Sequence, residues 1–191
     1  MVLNEGVLFA AMEDGSVLAW KSNSQSSNPE ELAALEGHDS AVISLVIGAN
    51  RLFSGSTDQT IRVWDLQTLE CIQTLRGHND SVTCLIFLFS GSSDKSLKIW
   101  GATENGSLEV IHEMKQESGI HSLNGISDTT KDQHILLCST EDKIVHIYDL
   151  PSFAEKGRTF SKGQVLAVET GPGGLFFTGD STGQLSVWKL D

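Results

Sequence analysis

The sequence predicts an all-β fold, a β-propeller of about five four-stranded blades. Three observations carry this expectation. A thirteen-residue segment that closes on an aromatic recurs five times, as LFAAMEDGSVLAW, LFSGSTDQTIRVW, LFSGSSDKSLKIW, LLCSTEDKIVHIY and FFTGDSTGQLSVW. Each recurrence reads as short strands joined by tight polar turns. No stretch shows a helical period.

The closing aromatics are Trp20, Trp64, Trp100, Tyr148 and Trp188, spaced by 44, 36, 48 and 40 residues. A period of this length marks a repeat architecture. Gly-His precedes two of the units, at Gly37-His38 and Gly77-His78, and Asp follows the aromatic at Trp64-Asp65 and Tyr148-Asp149. The expected organisation is one region over residues 1–191, with units ending near residues 20, 64, 100, 148 and 188.

The second unit shows the local logic. AVISLVI is a short apolar run, GAN a turn, and RLFSGS a second run. Thr57-Asp58-Gln59 makes the next turn, TIRVWDL alternates with period two, and CIQTLRG supplies a fourth strand. A four-stranded meander is too small to bury its own faces, so it stacks on copies of itself. Radial stacking of such sheets is a propeller.

This pattern resembles the WD-repeat (WD40) family along nearly the whole chain. The resemblance implies a buried tetrad of His, strand Ser, turn Asp and Trp in each complete blade. It falls on His38, Ser54, Asp58 and Trp64 in the second unit, and on His78, Ser90, Asp94 and Trp100 in the third. Buried imidazole and carboxylate groups need partners, and here they satisfy one another. Ser, His and Asp together also invite a catalytic reading. A constellation that recurs in each blade is architecture, so no catalytic residue is expected.

The units are uneven. His38 to Trp64 spans 26 positions but His78 to Trp100 spans 22. The missing residues fall near Ile86 and Phe87, and VTCLIFLFSGS offers no turn residue to reverse the chain, so a distorted first hairpin is expected there. The first unit has no room for an innermost strand before Leu8. The fourth has Cys138 for Ser and Tyr148 for Trp, and is expected to lose its tetrad. The fifth has Thr182 for Asp and lacks a fourth strand. The ring is therefore expected to be incomplete or open, a fragment of a longer propeller.

LEVIHEMKQESGI, LLCSTEDKIVHIYDLPSFAEKGR and GPGGLFFTGDSTGQLSVWKL carry a narrower resemblance, to plant proteins that join a CCCH zinc finger to a WD-repeat domain. No finger is readable here. Cys71, Cys84 and Cys138 stand too far apart, and no two histidines lie three or four residues apart. No metal and no cofactor is expected. Each cysteine sits among apolar residues and reads as a buried small hydrophobe.

The chain has 191 residues, 39% apolar and 20% charged, with a formal charge of −12. That charge argues against a broad nucleic-acid or anionic-membrane footprint. No apolar run approaches the ~20 residues of a bilayer span, and the first residues lack a basic leader. Ser22–Asn28 reads as an extended loop, and Gly171-Pro172-Gly173-Gly174 as a turn without the helix a phosphate cradle needs. Lys156, Arg158 and Lys162 form one modest basic cluster. Arg62 and Lys98 are expected to face solvent.

The expected function is a non-enzymatic scaffold that binds other proteins or peptides, with no small-molecule substrate and no membrane role. The resemblance places partner-facing loops at Asp39, Asn79, Asp80, Gln59, Lys95, Lys143 and Lys162. Two alternatives stay open. One is part of a nucleic-acid regulator whose CCCH finger lies outside this chain. The other is a ubiquitin-ligase substrate receptor, although Trp64-Asp65-Leu66-Gln67 lacks the Arg such receptors carry. An intracellular protein, with a lean to the nucleus by resemblance, is expected.

Overall fold

The computed structural model describes residues 1–21, 29–128 and 133–190. The Ser22–Asn28 loop lies outside the described residues. Nineteen β-strands and one 3-10 turn are present, and no α-helix among the described residues.

The first sheet runs in the order β1 (Val2–Asn4), β2 (Val7–Ala11), β3 (Val17–Lys21), β4 (Glu30–Leu35). The second holds β5 (Val42–Gly48), β6 (Arg51–Ser56), β7 (Ile61–Asp65) and β8 (Cys71–Leu75). The third holds β9 (Val82–Ile86), β10 (Phe89–Ser92), β11 (Ser96–Ala102) and β12 (Leu108–Lys115). The fourth holds β13 (Ile120–Asp128), β14 (Gln133–Thr140), β15 (Ile144–Leu150) and β16 (Glu155–Phe160). The fifth has three strands, β17 (Val165–Thr170), β18 (Leu175–Asp180) and β19 (Leu185–Lys189). Every sheet is an open meander of neighbouring strands, the blade of a β-propeller. The chain divides into two compact units, Met1–Ser90 with Lys98–Glu113 and Gly91–Leu97 with Met114–Asp191.

Apolar residues on strand faces place the core between neighbouring sheets. In the first unit, Phe9, Val17 and Ala19 meet Val42, Leu52 and Trp64. The register-equivalent Phe53, Ile61 and Val63 meet Val82 and Trp100. In the second unit, Leu137, Val145 and Ile147 meet Val165, Val168 and Phe176. Each Val, Leu, Ile or Phe among them contributes roughly 1.5–3 kcal/mol when fully buried. The matching positions of the fifth sheet, Leu185 and Val187, are exposed.

Four expectations are corrected. The first sheet does have an innermost strand. β1 pairs with β2 (Val2↔Phe9, Leu3↔Leu8, Asn4↔Val7) across Glu5-Gly6, both at positive φ, the two-residue turn that matches strand twist. The third sheet also forms a four-stranded blade, and β9 and β10 are joined by Phe87-Leu88 alone. Leu88 supplies the left-handed residue, φ 64°, without glycine or asparagine. That conformation costs about 1–2 kcal/mol. Leu88 offsets it by packing on the core between the second and third sheets, and its carbonyl accepts the Trp100 N–H at 2.9 Å. Cys71 is exposed, because it opens an edge strand, whereas Cys84 and Cys138 are buried. Lys98 is buried, with its ammonium 2.5 Å from Glu113 on the neighbouring strand.

Candidate interaction loops and their buried supports

The turn between the second and third strands repeats in all five sheets. Its left-handed residue is Gly15, Gln59, Lys95, Lys143 or Gly183, with φ between 68° and 94°. In each, that residue's N–H donates to the carbonyl three positions back: Met12, Ser56, Ser92, Thr140 and Asp180. Only two of the five are glycines. The repeat imposes the conformation, and a side chain at Gln59, Lys95 or Lys143 projects from a fixed point. All three are exposed.

In the second sheet, buried groups hold this turn. Trp64 Nε1–H donates to Ser54 Oγ at 2.8 Å, and Ser54 Oγ lies 2.8 Å from His38 Nε2. His38 Nδ1 lies 2.7 Å from Asp58 Oδ2. With Asp58 ionised, one proton arrangement satisfies the set: Trp64 donates to Ser54, Ser54 to His38 Nε2, and His38 Nδ1–H to Asp58. The imidazole is neutral. Burial lowers its pKa, against the opposing pull of the Asp58 hydrogen bond and charge. Asp58 itself lies below the usual carboxylate range: burial works against ionisation, but the Thr60 and His38 hydrogen bonds outweigh it. Asp58 Oδ1 accepts Thr60 N–H and Oγ1–H at 2.9 and 2.7 Å, and Oδ2 accepts Asp39 N–H at 3.1 Å. The set thus fixes the backbone of the exposed Asp39 and, through Thr60 N–H, closes the turn that carries the exposed Gln59. Ser54 is fully buried, with its hydrogen-bonding capacity spent within the set.

Gly37, which precedes His38, sits at φ 154° under the Arg62 guanidinium. A Cβ there would lie 2.5 Å from Arg62 Nη1. Arg62 Nη2 donates to the Gly37 carbonyl, so Arg62 is half-buried and packed on the loop rather than free in solvent.

In the third sheet, His78 Nε2 lies 2.7 Å from Ser90 Oγ, and Trp100 Nε1–H donates to the same oxygen at 2.9 Å. Asp94 Oδ1 accepts Ser96 N–H at 2.8 Å. Asn79 and Asp80 are exposed beyond His78, and Asp80 Oδ1 accepts the Ser81 N–H at 2.7 Å.

The fourth and fifth sheets use other atoms for the same task. Tyr148 Oη–H donates to Gln116 Oε1 at 3.0 Å, spanning the distance that Trp64, Ser54 and His38 cover together. The turn carboxylate survives: Thr140 Oγ1–H donates to Asp142 Oδ1 at 2.6 Å. In the fifth sheet, Trp188 Nε1–H donates to Thr178 Oγ1 at 3.0 Å. The turn carboxylate has moved two residues back, to Asp180. Its Oδ1 accepts Thr182 N–H, Thr182 Oγ1–H and Gln184 N–H at 2.9, 2.6 and 3.1 Å. Its Oδ2 accepts Ser161 Oγ–H at 2.6 Å. The hydroxyls of Ser161 and then Thr182 hold this carboxyl far below its ordinary range. Sequence reasoning placed Gln116 and Asp180 in exposed loops and gave neither this turn-holding role. The signal was present in register, since Gln116 stands four residues before the strand-opening Ile120, as His38 stands before Val42.

Lys162 is exposed next to Ser161, whose N–H donates to the Lys143 carbonyl at 2.9 Å. Lys95 is tied likewise, since its carbonyl accepts the Gln116 N–H at 2.8 Å. Lys156 pairs with Asp149 and Arg158 with Glu155, each at 2.8 Å, so two members of the basic cluster are neutralised. Among the described residues no group of three His, Cys, Asp or Glu side chains could hold a metal ion. Among the same residues no helix is long and apolar enough to cross a membrane.

Comparison with known proteins agrees with this geometry. The family model for the WD domain, G-beta repeat, matches residues 29–65 and 69–101. Zinc finger CCCH domain-containing protein 17 of Oryza sativa subsp. japonica is 52% identical over 193 residues, covering 99% of this chain and 44% of that protein. Zinc finger CCCH domain-containing protein 59 of Arabidopsis thaliana is 45% identical over 196 residues, covering 100% and 41%. The chain thus spans less than half the length of these curated relatives. A shorter match, 33% identical over 85 residues, joins it to the F-box/WD-40 repeat-containing protein At5g21040 of Arabidopsis thaliana. Among solved structures, the computationally designed Ika8 protein superposes with a TM-score of 0.80 at 25% identity, over 99% of this chain and 57% of that one. U3-55K does so with a TM-score of 0.80 at 20% identity, over 97% and 58%, a likeness of fold.

Proposed function

We propose that this WD40-repeat chain is a non-catalytic platform for protein or peptide partners, bound through the loops at the tetrad end of its sheets. The carrying observation is that the exposed Asp39 has its backbone N–H held by the Asp58 carboxylate, and that the exposed Gln59 sits in the turn this carboxylate closes through Thr60 N–H. Rigid backbone under exposed polar side chains lowers the ordering cost of binding. Asn79 and Asp80 in the first unit, and Lys95, Lys143 and Lys162 in the second, are exposed at the corresponding loops of their own sheets, and charges of both signs suit selective protein contacts.

The test is quantitative partner capture from plant extract, comparing the wild-type chain with Asp39→Lys and Lys143→Glu variants. The platform reading expects particular partners to be lost while the thermal midpoint stays unchanged. Retention of every partner by both variants would sink it.

A second reading has its own support, the similarity of this chain along nearly its whole length to less than half of two CCCH zinc finger proteins. On it, this chain is the protein-binding part of a longer nucleic-acid regulator, and the finger lies elsewhere. The formal charge of −12 supports assigning nucleic-acid contact to that other part. Filter binding of RNA to this chain alone checks the division of labour. Tight, salt-dependent binding would contradict it.

A further inference from the structure

The short hairpin of the third sheet leaves a space beside it. β5 and β6 are seven and six residues long, whereas β9 and β10 are five and four. The second-sheet hairpin therefore reaches further than its neighbour, and a cleft of about 310 Å³ opens past the Phe87-Leu88 turn. Phe53, Phe87, Leu88, Ala102 and Leu108 line it. Phe87 is 42% exposed and meets Phe53 edge to face, ring centroids 6.1 Å apart. Its ring lies directly over Gly48, where a Cβ would be 2.1 Å away. The one charged residue in its lining is Arg51. Its guanidinium makes no hydrogen bond or ion pair among the described residues, and its charge exerts only a minor pull on Asp65.

An apolar recess with a single unpaired cation has a definite complement. The volume sits at the low end for ligand sites, room for one large side chain and little more. The cation faces outward on a chain of net charge −12, so a carboxylate is repelled over most of the surface and attracted here. An Arg–carboxylate pair can be bidentate, which adds direction to the attraction. We propose that this cleft docks a peptide segment presenting one aromatic or leucine side chain beside a carboxylate. The apolar group fills the space between Phe53, Phe87 and Leu108, and the carboxylate meets Arg51. This inference rests on the platform reading and adds a partner chemistry to it.

The probe is the capped dipeptide Ac-Phe-Asp-NH2, titrated into the isotope-labelled chain and followed by amide chemical shifts. The neutral Ac-Phe-Asn-NH2 is the comparison. Shifts are expected at residues 51–53, 87–89 and 102–108, saturating with a Kd on the order of 1 mM. The neutral peptide is expected to bind about ten-fold more weakly. Arg51→Gln removes that ten-fold difference, and Ala102→Trp, which fills the cleft from an exposed position, abolishes the shifts. Equal binding of the two peptides to wild type would overturn the proposal. So would shifts that survive Ala102→Trp, or no shifts at several millimolar. A thermal melt of each variant establishes that the fold is intact. No partner protein is present in this titration, so a flat result removes the cleft and leaves the platform reading standing. Loop variants that lose no partner, with the titration intact, remove the platform reading alone.

Discussion

Tyr148 Oη donates to Gln116 Oε1 across 3.0 Å, joining in the fourth sheet the two positions that Trp64 and His38 hold in the second. The phenol reaches past the place of the missing serine hydroxyl, where Cys138 is fully buried. Burial raises the Tyr148 pKa, so the phenol keeps its proton and stays a donor. Tyr148→Phe leaves Gln116 without it. The expected loss is about 1 kcal/mol in urea denaturation. A double-mutant cycle with Gln116→Ala should return a coupling of similar size. Strict additivity of the two substitutions would show that this pair does no joint work.

Ser54 is the hub of the second sheet, accepting from Trp64 and donating to His38. Ser54→Ala orphans two buried polar atoms at once. The expected cost is about 2–4 kcal/mol, read from denaturant midpoints at constant m-value. A loss below about 0.5 kcal/mol would mean that water or relaxation satisfies both groups.

His38 carries a pH dependence with a definite sign. Burial, first among its causes, depresses its native pKa below the ordinary value. The unfolded chain then takes up the proton first as pH falls. Stability from this group is present above about pH 6.5 and declines below it, toward the native pKa. His38→Gln should flatten the stability profile between roughly pH 7 and 5. An unchanged slope in that window would assign the decline to other groups.

Asp180 acts lower on the pH scale. Its carboxyl is depressed by Ser161 and Thr182, so its contribution is present above about pH 4 and is lost as pH falls further. Asp180→Ala removes the acceptor for Ser161, Thr182 and Gln184 together. The expected result is a lower urea midpoint at neutral pH and a shallower acid limb. If the midpoint holds, the fifth turn does not depend on this carboxylate.

Gln59 occupies a left-handed turn position at φ 72°, where Gly15 and Gly183 stand in the first and fifth sheets. Gln59→Gly relieves that strain and is expected to stabilise the chain by about 0.5–1 kcal/mol. The same change removes a proposed contact side chain. Higher stability together with lost partner capture separates the two roles, whereas unchanged capture removes Gln59 from the proposed surface.

Repeat period, strand alternation and the hydrogen-bonded set of the second sheet were legible because each lies in local spacing. The aromatic-closed segments alone place the second, third and turn-flanking positions of every sheet. Lys98 was misread because alternation gives its direction but not its cover. Glu113, fifteen residues on, supplies that cover only after β12 folds back along β11. Leu88 was misread because turn propensity is a local average, and core packing between two sheets outweighed it at that one residue.

The sequence by itself determined the all-β class, the five repeating units and the residues that form the buried sets wherever the motif is intact. Those follow from side-chain period and hydrogen-bonding capacity, which are properties of short segments. Only the tertiary structure decided how the degenerate units are held, and what the shortened hairpin leaves open. Gln116 meets Tyr148, Asp180 meets Ser161, and Arg51 and Ala102 line one cleft, across separations of 32, 19 and 51 residues, respectively. Such partners are chosen by which strands the folded sheets bring together, and no local spacing encodes that choice.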